Sequence, residues 1–205
     1  MSKTTKKTNL DNKLNEILST FKTSAQFKNI NNYILLFIFY KYISDITKNK
    51  AEQFLNGKTT YENAWQDESL KLKLQTYLLE QNGYYIAPED LYENIVKIIN
   101  ENNFKIATLE KSLFKINNSL AKALNNDNLN LLKNINLQSH LLSPSLIERE
   151  KIIINLILKI NELTYDISNN DSDILGDAYE FLISKFALTI GKDSDFYTPK
   201  KFLNY

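Results

Sequence analysis

Residues 33–43 read YILLFIFYKYI, and Lys41 carries the only charge in the run. Apolar side chains on every face of a helix need neighbours on every side, so the stretch reads as a helix buried among other helices. It is far shorter than the ~18 apolar residues needed to span a bilayer. It also lies too far into the chain, behind too polar a segment, to be a secretion signal. The helix is expected over roughly residues 29–47, and no membrane partner is expected.

Other helical patterns surround it. Leu10, Leu14, Ile17, Leu18 and Phe21 recur at helical spacing, which predicts a first helix over about 10–21. Residues 1–9, with Lys3, Lys6 and Lys7, read as a disordered basic tail. After the central helix, NGKTTYENAWQDES reads as a polar loop anchored by Trp65. Leu70, Leu74, Tyr77 and Leu78 predict a short helix over 70–80, ended by Gly83. Tyr84-Tyr85-Ile86 can form a short extended piece.

Pro88 is placed to open a helix through PEDLYENIVKIINENN, with Glu89 and Asp90 in its favourable first turn. Thr108 is a candidate cap for a helix reaching about Leu124, and NNDNLN then reads as a turn. Ser143-Pro144 is expected to start an apolar helix running to about Leu163. The run ISNNDSD is the best boundary in the chain, and a further helix is expected over 173–189, stopped at Gly191. Thr198-Pro199 has the form of another helix start. The pattern is that of a mainly α protein with at most a trace of strand.

Composition narrows the chemistry. The 205 residues hold 43% hydrophobic and 24% charged side chains with a formal net charge of +1, which is ordinary for a soluble domain and gives no global basic field. The absence of cysteine excludes disulfides, thiolate metal sites and cysteine nucleophiles, and it suits a reducing, cytoplasmic setting. His140 is the only histidine, so no multi-histidine metal site is available and no metal is expected. It sits in LQSHLLSPS, which lacks the turn that exposes a catalytic serine. Four glycines, Gly57, Gly83, Gly176 and Gly191, are too scattered for a phosphate-cradling loop. No catalytic residue is assigned.

Three segments go beyond generic helix: FIFYKYISD (37–45), GYYIAPEDLYENI (83–95) and DILGDAYEFLISKFALTIGKDSDFYTPKKF (173–202). Together and in this order they resemble the N-terminal part of the modification (methyltransferase) subunit of type I restriction–modification systems. That family carries a Lys-Tyr-Ile-Ser-Asp-like stretch in its helical domain, then an aromatic-x-x-Pro segment. A Gly-x-x-Tyr-Glu helix and a Phe-Tyr-Thr-Pro segment stand at the entry to its catalytic domain.

The resemblance implies a multi-helix N-terminal bundle over residues 10–167. The first helical elements of a Rossmann-like methyltransferase domain, truncated here, are then expected over 168–205. It implies transfer of a methyl group from S-adenosylmethionine to the exocyclic amine of adenine in DNA. It also implies four partners: DNA, a specificity subunit, a motor–nuclease subunit and a second copy of the methyltransferase subunit. The cofactor-contacting stretch maps onto Asp195, Phe196, Tyr197, Thr198, Pro199 and Lys200. The family has Glu or Gln where Asp195 stands, and often Arg where Lys200 stands.

A helix N-terminus at Thr198 suits the cofactor's carboxylate, and the rings of Phe196 and Tyr197 suit its apolar part. The family's glycine-rich cofactor loop and its Asn-Pro-Pro-aromatic motif do not occur in these 205 residues, so the chain alone is expected to be inactive. The remaining positions of the three segments, among them Phe37, Tyr40, Asp45, Gly176 and Glu180, read as packing and surface residues. The competing reading is a stand-alone helical interaction module that docks to a specificity or other subunit.

Overall fold

The structure, a computed structural model, describes residues 3–21, 27–124 and 136–163. Every regular element among them is helical: α1 (Lys3–Phe21), α2 (Phe27–Leu55), α3 (Tyr61–Gln66), α4 (Glu68–Asn82), a 3₁₀ turn (Pro88–Asp90), α5 (Tyr92–Asn100), α6 (Ile106–Leu124) and α7 (Leu146–Asn161). The chain divides into two compact units. One comprises residues 1–31 with 163–205, and the other residues 32–162. In the first, α1 buries Leu14, Ile17 and Leu18, the stripe expected from their spacing, and the helix begins at Lys3 rather than near Leu10.

The second unit is organised on α2. Ile34, Leu36, Phe37, Ile38 and Tyr40 are all fully buried, so four successive directions around the helix are covered. That is the all-round burial the YILLFIFYKYI run demands. The helix runs eight residues past its expected end, because Thr47, Ala51 and Leu55 continue a buried stripe at i, i+4, i+8. It stops where Asn56 (φ 46°) and Gly57 (φ 71°) enter the left-handed region, which glycine tolerates.

Three further boundaries differ from expectation. Residues 61–66 form α3 instead of a loop, because Thr60 Oγ1 accepts from the Asn63 amide at 3.2 Å and caps the helix. Trp65 is packed as anticipated, and the Tyr61 hydroxyl donates to the Ile86 carbonyl at 2.6 Å. The segment from Pro88 is not one helix. A single 3₁₀ turn gives way at Leu91 (φ −68°, ψ 150°) before α5 begins. The α6 helix starts at Ile106, ahead of Thr108, because Glu150 Oε1 on α7 accepts from the Ile106 amide at 3.4 Å. At the start of α7 the cap is Ser145, whose hydroxyl faces the Glu148 amide at 3.5 Å, and Gly83 (φ 75°) closes α4 as read.

Neighbours of α2 in this unit supply Leu74 and Leu78 from α4, Ile95 from α5, Leu109 and Ile116 from α6, and Ile153, Leu156, Ile157 and Ile160 from α7, all buried. Replacing Phe37 by alanine removes a ring that is 0% exposed and is expected to cost about 3–5 kcal/mol of unfolding free energy. Leu72, 66% exposed on α4, is the control: Leu72→Gln stays within about 0.5 kcal/mol of the parent in urea denaturation.

Candidate functional site

Two of the three segments singled out in the sequence meet in the second unit. From α2, the Tyr40 hydroxyl donates to the Asp90 backbone carbonyl at 2.6 Å, wholly buried. Ser44 Oγ accepts from the Tyr92 amide at 3.1 Å. The rings of Tyr40 and Tyr92 lie 5.1 Å apart at 62°, an edge-on pair. Lys41 reaches Asp45 at 2.8 Å, one helical turn on, and its ammonium stands 5.8 Å from the centre of the Tyr92 ring. The Tyr92 hydroxyl extends the network to the Ile157 carbonyl of α7 at 2.9 Å.

Asp90 is the hub. Its side chain is only 6% exposed, and each carboxylate oxygen has its own donor. Oδ1 accepts from the Ser112 hydroxyl at 2.7 Å, and Oδ2 from Lys115 Nζ at 2.7 Å, both on α6. A buried carboxylate is tolerable only when paired and hydrogen-bonded in this way. The arrangement also explains why the segment from Pro88 breaks. With its carbonyl held by Tyr40 and its carboxylate turned to α6, Asp90 cannot serve as an interior residue of a longer helix. The next amide but one, that of Tyr92, is satisfied by Ser44 instead.

The electrostatics follow the geometry. Burial pushes the Tyr40 and Tyr92 phenols well above their ordinary range, with the Asp90 charge adding to the effect on Tyr40 and the neighbouring Tyr40 and Asp45 to that on Tyr92. Both therefore act as neutral donors. The hydrogen bond to Asp90 raises the Lys115 ammonium above its ordinary 10.5. The arrangement positions helices and has no free nucleophile or base. This agrees with the packing role expected for Tyr40, Lys41 and Asp45.

Beside the hub, an open groove of about 800 Å³ runs between α4 and α6. Leu72, Leu79, Tyr85, Ile86, Lys115 and Ser119 line it, and Ser119 Oγ accepts from the Tyr85 amide at 2.9 Å. Among the described residues no group of three His, Asp or Glu is placed to hold a metal ion, and no helix is long and apolar enough to cross a membrane. His140 is exposed in a turn, with no serine hydroxyl bonded to it among the described residues. The expected cofactor contacts, Asp195, Phe196, Tyr197, Thr198, Pro199 and Lys200, lie outside the described residues, as do NNDNLN, ISNNDSD and the 173–189 segment.

Comparison with known proteins places these features. The N-6 DNA Methylase family matches residues 170–204. The chain is 28% identical to the type I restriction enzyme MpnII methylase subunit of Mycoplasma pneumoniae, over 97% of this chain and 38% of that protein. It is 29% identical to the MjaVII methylase subunit of Methanocaldococcus jannaschii, over 94% of this chain and 30% of that protein. A crystal structure of the type I restriction–modification methyltransferase subunit from Streptococcus thermophilus superposes with a TM-score of 0.71 at 24% identity, covering 98% of this chain and 42% of that one. The chain thus resembles type I methylase subunits along nearly its whole length and spans well under half of theirs.

Lys115 ties stability at the hub to alkaline pH. Its raised folded value means that the contribution of the ion pair is fully present below about 10.5, and is lost as pH rises through the higher folded value. Unfolding free energies measured from pH 8 to 12 should fall more steeply above pH ~10.5 in the parent than in Lys115→Met. The buried tyrosines are common to both and cancel in the difference. Tyr40→Phe, which leaves the Asp90 carbonyl without its donor, is expected to cost about 1–3 kcal/mol by denaturant titration.

Proposed function

We propose that this chain is the N-terminal helical domain, with the opening of the catalytic domain from residue 168, of a type I restriction–modification DNA adenine methyltransferase. In the whole enzyme a methyl group passes from S-adenosylmethionine to the exocyclic amine of adenine. The reaction takes place in the cytoplasm, in a complex with DNA, a specificity subunit, a motor–nuclease subunit and a second methyltransferase subunit. The observation that carries the reading is the N-6 DNA Methylase match at residues 170–204, which falls on the segment holding DILGDAYEF and FYTP. Near-complete alignment of the preceding residues with methylase subunits supports it.

In this reading the helical domain supports the methyl-transfer site from outside. The hub joining α2, the 3₁₀ turn, α5 and α6 makes it a stiff platform. Residues 195–200 contribute one wall of the cofactor site. Phe196 and Tyr197 flank apolar parts of the cofactor, and the Thr198 hydroxyl with the backbone at Pro199 faces its methionine carboxylate, a group suited to a helix N-terminus. The cofactor supplies an activated methyl group on sulfonium. The residues that polarise the target amine in the family's Asn-Pro-Pro motif are not among these 205.

The exposed Leu72 and Leu79 along the α4–α6 groove favour a second reading, an interaction module that docks to another subunit. One experiment separates the two. The purified chain is incubated with DNA and S-adenosylmethionine labelled in its methyl group, alone and with a covalently appended catalytic region of a related methylase subunit. The expected result is background incorporation alone and restored incorporation in the fusion, reduced at least tenfold by Thr198→Ala. Incorporation by the chain alone, or a fusion indifferent to Thr198→Ala, would overturn the assignment of the site.

A further inference from the structure

Of the 25 lysine and arginine residues, only Arg149 is an arginine. It is also the one basic residue buried among those described, with 7% of its surface exposed. Arginine keeps its charge in a protein interior, so burial leaves a cation that needs an anion. Here Nη1 donates to the Ser143 carbonyl at 2.6 Å and to the Pro144 carbonyl at 3.2 Å. These are dipoles, not charges. Nε is buried with no acceptor at all. The carboxylates adjacent in sequence are engaged elsewhere: Glu148 with Lys151 at 3.3 Å, and Glu150 with the Ile106 amide at 3.4 Å.

The guanidinium lies at the N-terminal end of α7, since the two carbonyls it holds belong to the residues just before the Ser145 cap. The amides of Leu146 and Ile147 there have no intrahelical acceptors, and the helix dipole adds positive potential. In the same stretch of chain Leu141, Leu146 and Ile147 are more than half exposed. A half-satisfied arginine next to exposed aliphatic side chains has the make-up of a protein-interface hot spot.

We propose that the Nε–Nη2 edge of Arg149 is an anion site completed by an aspartate or glutamate carboxylate of a partner polypeptide docking on the start of α7. That edge presents two parallel N–H donors, which match a carboxylate bidentately. Charge complementarity requires an anion, and the surroundings select a protein over a nucleic acid. The exposed side chains are aliphatic, and Glu148 and Glu150 disfavour a phosphate backbone, whose protein interfaces are strongly basic.

Because Arg149 is the sole arginine, its side-chain Nε–Hε group gives a single assignable signal in the ¹⁵N-labelled full chain. Sodium acetate is titrated in place of chloride at constant ionic strength, with sodium phosphate and a DNA duplex as parallel arms. The expected result is a saturable shift of that signal with acetate, accompanied by the Leu146 and Ile147 amides. In Arg149→Lys, which keeps the charge but loses the fork, the amide response weakens by about tenfold, the weight of one charge-assisted hydrogen bond.

An Nε–Hε signal that acetate leaves unmoved in the native chain overturns the proposal, whatever the variant does. So do amide shifts of unchanged affinity in Arg149→Lys. A response to phosphate or DNA without one to acetate overturns the carboxylate partner.

Discussion

The second unit depends on a buried acid that must be paid for locally. Asp90 brings a carboxylate to within 6% of full burial, and an isolated charge there is untenable. Ser112 and Lys115 of α6 neutralise and saturate it, while its backbone carbonyl takes the Tyr40 hydroxyl of α2. One residue of a three-residue 3₁₀ turn therefore fixes the distance between two long helices. Tyr92, two residues on, repeats the device with its amide to Ser44 and its hydroxyl to Ile157. Polar groups buried in this way contribute little net stability, but they allow few alternative arrangements of the helices around them.

This constraint accounts for the two segments that stand out in the sequence. Tyr40, Lys41, Ser44 and Asp45 come from one, and Asp90 and Tyr92 from the other. They meet as complementary halves of one junction, forty-odd residues apart in the chain and in direct contact in the fold. Their similarity to methylase subunits thus has a structural cause: the platform has to be rebuilt the same way wherever the catalytic region is mounted on it. The third segment, residues 173–202, carries the N-6 DNA Methylase match and the proposed cofactor wall.

Much of the helical layout was legible beforehand. The buried centre at Tyr33–Ile43, the stop at Gly83 and the apolar helix after Pro144 follow from periodicity and backbone chemistry that operate within a few residues. The misread positions share a different cause. The loop expected over 61–66 is a helix because Thr60 caps it and Tyr61 and Trp65 find a core to enter. The single helix expected from Pro88 breaks because Asp90 and Tyr92 are held by side chains of α2 and α6. The start of α6 is displaced by a carboxylate supplied from α7. Arg149 attracts no notice in sequence, since nothing local announces that its guanidinium is buried without a carboxylate.

By itself the sequence determined that this protein is helical, that residues 33–43 form its centre, and that thiolate and multi-histidine chemistry are closed to it. These follow from side-chain types and their spacing, which act locally. It also carried the likeness to methylase subunits in three short segments. Only the tertiary structure decided which polar side chains meet. That two of those segments form one hydrogen-bonded hub, and that a lone arginine is left wanting an anion, depends on contacts between residues distant in the chain. Burial turns such contacts from optional to obligatory, because water is no longer there to satisfy the groups.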